Sequence, residues 1–194
     1  MQKAVLISIQ PYWVFLIIAK AMGWNIEKEK TDEVRKNYPK AQNWDKTVKI
    51  YCSKDKKSFA KIPKEYQPLM QPFLGKVIGE FVCDRIDYWQ YHWIPDVMHI
   101  EKMSELSCVS TTELLDYLGG IYDKQGNSKR LYAWHISDLV IYDNPKELSE
   151  FTKPIPEYSC LLPCDVLECV KCHNEAEPLK RPPQSWCYVE GSKE

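Results

Sequence analysis

The chain has 194 residues, of which 44% are hydrophobic and 27% charged, and its mean hydropathy is -0.45. This composition excludes a disordered chain, a collagen-like chain and a polytopic membrane protein. The formal net charge is only -1, but residues 1–64 contain 14 Lys and Arg against 6 Asp and Glu, whereas residues 65–194 contain 12 against 21. The basic N-terminal third predicts a local site for an anionic partner.

The N-terminal part of the sequence predicts three strands and one helix. Ala4–Ile9 is a continuous apolar run, as in a buried strand, and Pro11 suits the first turn of a helix that is expected to reach Trp24. Two further strands are expected over Thr31–Lys36, with its charged residues on one face, and over Thr47–Cys52, which alternates. Residues 53–73 are rich in Lys and Pro and predict a long loop with one helical turn.

The rest of the sequence adds strands and a second helix. Gly75–Asp84 is a strong strand pattern with a glycine inside it, which indicates a bulge or a tight bend. Residues 88–106 are aromatic and predict irregular structure. Ser110 and Glu113 match a capping box, which predicts a helix over Thr111–Leu118. The last predicted strands are Leu131–Ile136, Leu139–Tyr142 and Ser185–Val189. Five or six strands with two clear helices indicate an α+β fold, a small mixed β-barrel of five or six strands with flanking helices.

The apolar stretch that begins the chain does not indicate a membrane protein. It is too short to span a bilayer, Pro11 interrupts it, and no small-residue cleavage site follows. We therefore expect a cytoplasmic protein with no membrane partner, whose cysteines are reduced thiols.

Four cysteines lie within thirteen residues, with the spacing C-x3-C-x4-C-x2-C, at Cys160, Cys164, Cys169 and Cys172. A C-x2-C pair can present two thiolates to one tetrahedral zinc ion, and four thiolates would close a structural site. The alternative is a set of unpaired thiols on an insertion. We predict a main domain formed by residues 1–152 and 180–194, with a Cys-rich insertion over 153–179 that could bind structural Zn.

A charged triple in the second predicted strand is the candidate functional site. Side chains two apart share a face of a strand, so Glu33 and Arg35 project together, and Lys30 lies at the start of the strand. A carboxylate between two cations could accept hydrogen bonds from the amino edge of a base, while Arg35 could hold a phosphate. The same residues could instead form a solvated ion-pair face with little effect on stability.

Several motifs, taken in order, resemble the ASCH domain, a family with a PUA-like β-barrel. The hallmark G-x-K-x-x-E-x-R of that family falls on Lys28-Glu-Lys-Thr-Asp-Glu-Val-Arg35, with Lys28 at the glycine position. Ile7-Ser-Ile-x-Pro11 and Gly75-Lys-Val-Ile-Gly-Glu-Phe-Val-Cys-Asp84 also match the family. The segments that begin at Trp134, Pro145 and Pro182 resemble its phage and prophage branch.

The resemblance implies that the chain binds a nucleic acid, RNA above all, or a nucleotide in a cleft of the barrel. The residues expected to bind the ligand are Lys30, Glu33, Arg35, Lys36 and Trp134. Some members of the family are amidohydrolases that act on a modified cytidine with the motif lysine, a threonine and a later glutamate. Here Glu33 replaces the threonine, and Ser107 aligns with the glutamate, with Glu105 nearby.

Three functions therefore remain open. The first is binding of nucleic acid or a nucleotide. The second is hydrolysis of a modified nucleoside or of RNA, for which Lys30 and Glu33 would be the catalytic residues, with Glu33 as general base. The third is a phage-encoded module that binds a host protein partner.

Overall fold

The computed structural model describes residues 3–41, 44–91, 97–154 and 177–190, which form an α+β fold. In these ranges the strands are β1 (Lys3–Ile9), β2 (Asp32–Arg35), β3 (Trp44–Cys52), β4 (Val77–Val82), β5 (Ile86–Gln90), β6 (Arg130–His135), β7 (Ser137–Lys146) and β8 (Trp186–Glu190). The helices are α1 (Pro11–Ile18), α2 (Lys56–Phe59), α3 (Gln67–Met70), α4 (Val97–Ser107) and α5 (Thr111–Leu118).

The larger sheet has the order β7-β4-β3-β1-β8. Its β1 pairs in parallel with β3, and the other pairings are antiparallel. The apolar run of β1 is fully buried from Ala4 to Ile7, because β1 lies inside the sheet and both of its faces are covered. One face packs against α1, where Phe15 and Ile18 are buried in the main core.

The smaller sheet has the order β2-β6-β5 and is antiparallel throughout. Val34 and Leu131 lie on the face of this sheet that packs against α4 and α5, together with Met103 and Leu114. Glu33 and Arg35 alternate with Val34 along β2 and therefore point to the opposite face. The smaller sheet thus has one apolar face under the helices and one face that carries the charged motif.

The structure confirms the α+β class with mixed strands and flanking helices, but it corrects the expected barrel of five or six strands. The described ranges contain eight strands, and the two sheets that they form do not close into a barrel. At Ile136, the one residue between β6 and β7, the chain passes directly from the smaller sheet into the larger one.

Two regions differ from the sequence-based expectation. Residues 88–106, expected to be irregular, contain the last three residues of β5 and all of α4 except Ser107. The helix was hidden by its polar composition, although Ile100, Met103 and Ser107 are buried at helical spacing along it. The first helix ends at Ile18 instead of near Trp24, with turns that lead to Gly23 at a φ of 69°. No helix in the described ranges is both long and apolar enough to cross a bilayer.

The glycine inside β4 has a steric role. A Cβ atom at Gly79 would lie 2.3 Å from the carbonyl oxygen of Val140 and 3.1 Å from the Cα of Ile141, both on β7. The pairing of β3 with β4 also shifts register directly after its Ile50–Gly79 pair, as the glycine in the strand pattern indicated.

We expect Gly79→Ala to lower the free energy of unfolding by about 1–3 kcal/mol, because backbone has to move to admit the methyl group. The midpoint of urea unfolding measures this effect. Gly126→Ala is the control: Gly126 has open space around it and a φ of 82°, so it shows the cost of a left-handed backbone alone, about 1 kcal/mol. An unchanged midpoint for Gly79→Ala would contradict the steric explanation.

Candidate functional site

The charged motif of β2 lies on the floor of a cleft of about 650 Å³, which we call the β2 cleft. One wall is Trp13 of α1, and another is Tyr117 of α5. The segment before β8, including Pro183 and Ser185, closes a third side. Three separate parts of the chain thus converge on β2.

Glu33 is the centre of a buried ion-pair network. Its Oε1 lies 2.8 Å from Nη2 of Arg35, and its Oε2 lies 3.2 Å from Nζ of Lys30. The side chains of Lys30, Glu33 and Arg35 are only 2%, 8% and 10% exposed. This burial rules out the solvated ion-pair face. The carboxylate neutralises two cations that would otherwise be very costly to bury.

The ammonium of Lys30 has a full set of acceptors. Besides its ion pair with Glu33, it donates to the carbonyl oxygens of Asp32 at 2.8 Å and of Ser107 at 2.9 Å. Three acceptors match the three N–H donors of an ammonium group. It also lies 5.5 Å from the ring centroid of Trp13. Lys30 therefore fixes α4 against β2 and supplies positive charge to the floor of the cleft.

Arg35 connects β2 with β1 and with the segment before β8. Its Nη2 donates to the carbonyl oxygen of Ser8 at 2.7 Å, and its Nη1 lies 3.5 Å from Oγ of Ser185. Its Nε is buried and has no hydrogen-bond partner in the described part of the chain. Arg35 thus holds the cleft together and keeps one unused donor.

Two aromatic walls were missed by the sequence analysis. Partial burial raises the pKa of the Tyr117 hydroxyl, against the opposing effect of nearby Arg35. The ring of Tyr117 is 41% exposed, so one part of it faces solvent. Trp13 follows Pro11 by two residues, and Tyr117 follows Leu114, a core residue of α5, by three. The spacing of Tyr117 from Leu114 is helical and could have suggested its position, whereas a spacing of two residues does not place Trp13 on the same helix face as Pro11.

The remaining predicted ligand-binding residues lie in different environments. Lys36 directly follows β2, is exposed, and has its Nζ 4.7 Å from the ring centroid of Tyr117, at the edge of the cleft. Trp134 pairs with Glu33 across β2 and β6 but is fully buried in the main core. The structure therefore corrects its placement: Trp134 supports the floor of the cleft from within and does not line it.

The carboxylates near the cleft are already engaged. Glu105 is exposed and lies along a neighbouring groove, while the side chain of Ser107 is buried. Asp55 and Glu113 do line the cleft, yet Asp55 caps α2 and Glu113 forms the capping box of α5 with Ser110. Hydrogen bonds from Ser110 lower the pKa of Glu113.

This arrangement bears on catalysis. A general base needs an oxygen within reach of the proton that it removes. Both oxygens of Glu33 are paired with cations, and the carboxylates of Asp55 and Glu113 accept hydrogen bonds at helix N-termini. The geometry therefore favours binding over the hydrolysis for which Lys30 and Glu33 were candidates.

The predicted zinc ligands Cys160, Cys164, Cys169 and Cys172 lie outside the described residues, so the zinc loop stays a prediction. Among the described residues, no three His, Cys, Asp or Glu side chains lie close enough together to hold a metal ion. Cys52 and Cys83 are buried thiols, and burial raises the pKa of each to about 12. Both behave as small apolar residues of the core, as their sequence context indicated.

No protein-family model and no curated protein matches the sequence. The fold is similar to crystal structures of the ASCH protein from Zymomonas mobilis. A serine-to-alanine variant of it has a TM-score of 0.49 and 15% identity, over 96% of this chain and 88% of that chain. The ASCH protein itself has a TM-score of 0.45 and 16% identity, over 96% and 87%, and a tyrosine-to-phenylalanine variant has 0.43 and 15%, over 96% and 90%.

Proposed function

We propose that the chain is an ASCH-type protein whose β2 cleft binds a nucleotide, either free or as an unpaired residue of RNA. One observation carries this proposal: a carboxylate held between two buried cations forms the floor of a cleft that has an aromatic ring on two sides. The sequence motifs of β1, β2 and β4 support the family assignment independently.

Two parts of a nucleotide, the base and the phosphate, match features of the cleft. A base can stack on the ring of Trp13 or of Tyr117, since every base has a π-face. The exposed ammonium of Lys36 at the edge can attract a phosphate. The volume of about 650 Å³ lies within the range typical of small-molecule sites.

The basic region beyond the cleft favours a polymeric ligand. Asp55, which lines the cleft, belongs to a segment that also carries five exposed lysines, Lys54, Lys56, Lys57, Lys61 and Lys64. Exposed cations in a row can follow a phosphate backbone without reading its sequence. Single-stranded RNA that inserts one base into the cleft would use both features.

Fluorescence anisotropy of labelled single-stranded RNA, single-stranded DNA and duplex at two salt concentrations tests the proposal, with unlabelled mononucleotides as competitors. We expect single strands to bind best. Trp13→Ala and Tyr117→Ala should each weaken binding by about 5-fold to 100-fold, the effect of losing one stacked base. Lys36→Ala should reduce the slope of log affinity against log salt by about one.

Lys20→Ala is the matched control, because this lysine has a side chain that is 76% exposed and does not line the cleft. It should bind RNA as the unchanged protein does. The proposal would be overturned if the Trp13, Tyr117 and Lys36 variants bound RNA with the same affinity as the unchanged protein. Formation of a cleaved or deacylated product would instead support the hydrolase. The prophage-type origin, the cytoplasmic location and the host protein partner stay predictions from the sequence.

A further inference from the structure

A second cleft lies on the opposite face of β2, between the smaller sheet and α4; we call it the α4 cleft. Its volume is about 440 Å³, and its lining includes Asp32, Asp87, Trp89, His99 and Lys102. Asp32 precedes Glu33, so strand alternation points the two carboxylates to opposite faces of the sheet. The α4 cleft is therefore separate from the β2 cleft and does not depend on the proposed function.

Asp32 is unusual among the buried side chains of the molecule. It is 1% exposed, and its Oδ1 has no hydrogen-bond partner among the described residues. Buried carboxylates in proteins are nearly always hydrogen-bonded, because an unsatisfied buried acceptor is destabilising. Rotation about χ2 of an aspartate has a low energy barrier, so either carboxylate oxygen of Asp32 can turn toward a ligand in the cleft.

A second unsatisfied polar atom belongs to a residue that lines the same cleft from another strand. The indole Nε1 of Trp89 is buried and lacks a hydrogen-bond partner in the described part of the chain. Trp89 lies on β5, whereas Asp32 lies on β2, and β6 separates the two strands. The acceptor and the donor therefore stand at different ends of the cleft.

Charged side chains of both signs line the cleft. Asp32 and Asp87 interact electrostatically, and both are acidic, although Asp87 also pairs with Arg85 at 2.8 Å. Lys102 of α4 adds an exposed cation to the lining. A volume of about 440 Å³ lies within the range typical of sites for small molecules.

From these observations we propose that the α4 cleft binds a small zwitterion, with an amine placed against Asp32 and a carboxylate placed against Trp89 Nε1 and Lys102. Such a ligand satisfies both buried atoms at once, since the ammonium donates to the carboxylate and the indole N–H donates to the ligand. The chemical class is that of amino acids whose two charged ends are separated by a short carbon chain.

The test is a titration of the 15N-labelled protein with γ-aminobutyrate and with ε-aminocaproate, followed through the indole N–H resonance of Trp89. Trp89→Phe assigns that resonance. At least one of the two zwitterions should shift it in a saturable way. Butylamine and butyrate each carry only one of the two charges. Each should bind at least about tenfold more weakly than the zwitterion, because each leaves one buried group unsatisfied.

Asp32→Asn should weaken binding of the zwitterion by about tenfold, since it removes the charge that receives the amine. Asp143→Asn is the matched control, as Asp143 is exposed on β7 and does not line the cleft. A Trp89 resonance that neither zwitterion shifts would overturn the proposal. So would an Asp32→Asn variant that binds as tightly as the unchanged protein.

The pH dependence of stability tests whether the Asp32→Asn variant folds. Burial raises the pKa of Asp32, against the opposing charges of His135 on β6, Arg85 before β5 and Lys30 before β2, whereas Asp87 on β5 adds to the rise. His99 and Lys102 face the same cleft from α4. A carboxyl group whose pKa is raised by folding contributes most to stability at a pH where it is protonated. This contribution is lost as the pH rises through the raised pKa. At neutral pH the Asp32→Asn variant should therefore unfold at the same urea concentration as the unchanged protein or a higher one, and this difference should shrink as the pH falls below the pKa of Asp32.

Discussion

Replacement of Glu33 by alanine is expected to lower the free energy of unfolding by about 3–5 kcal/mol, because it leaves two buried cations without their shared counter-ion. Lys30 and Arg35 keep their bonds to backbone carbonyl oxygens, but these bonds carry no neutralising charge. Urea unfolding followed by tryptophan fluorescence measures the loss.

The ion pair between Lys20 and Glu29 provides the control for this prediction. Its N–O distance is 3.0 Å, similar to those of the buried network, but its side chains are 76% and 41% exposed. Glu29→Ala should therefore cost less than about 1 kcal/mol. If Glu33→Ala lowered the free energy of unfolding as little as Glu29→Ala, the prediction would be wrong. Lys30, Glu33 and Arg35 would then be well solvated, in contrast to their observed burial.

Trp134→Ala is the second change with a large expected effect, a loss of about 3–5 kcal/mol of unfolding free energy. The indole is fully buried and packs between the rings of Trp44 and Trp186, with centroid distances of 6.4 and 5.9 Å. Its removal leaves a large cavity directly beneath Glu33. The same urea experiment measures this loss.

Trp134→Phe separates the structural role of this residue from a role in binding. The indole Nε1 has no hydrogen-bond partner in the described part of the chain, so the phenyl ring loses volume but no hydrogen bond. We expect a smaller loss of stability and an unchanged affinity for RNA. A fall in affinity at unchanged stability would restore Trp134 as a ligand-binding residue.

Local sequence signals predicted much of the fold. The capping box at Ser110 and Glu113 and the left-handed Gly119 fix both ends of α5, because these signals act within one turn of the chain. The apolar run of β1 and the alternation in β3 also predicted their strands. By contrast, β5 depends on its pairing with β6, about forty residues later in the chain, so no local signal could secure it.

The candidate site was predictable only in its chemistry. Spacing on a strand placed Glu33 and Arg35 on one face, as observed. Whether that face is buried depends on Ser8 of β1, Ser107 of α4 and Ser185 before β8, which reach it from distant parts of the sequence. The burial of Trp134 and the positions of Trp13 and Tyr117 follow from the same long-range packing, which a single sequence does not encode locally.

The position of β8 has a consequence for how the protein folds. Strand β8 pairs with β1 in the register Lys3 with Glu190, so the first strand finds one of its neighbours almost at the other end of the chain. Contacts of such high sequence separation slow folding, since a long loop must close before they form. During synthesis, Arg35 cannot meet Ser185 until this segment emerges, so the β2 cleft cannot be completed before about 150 further residues have been added after Arg35.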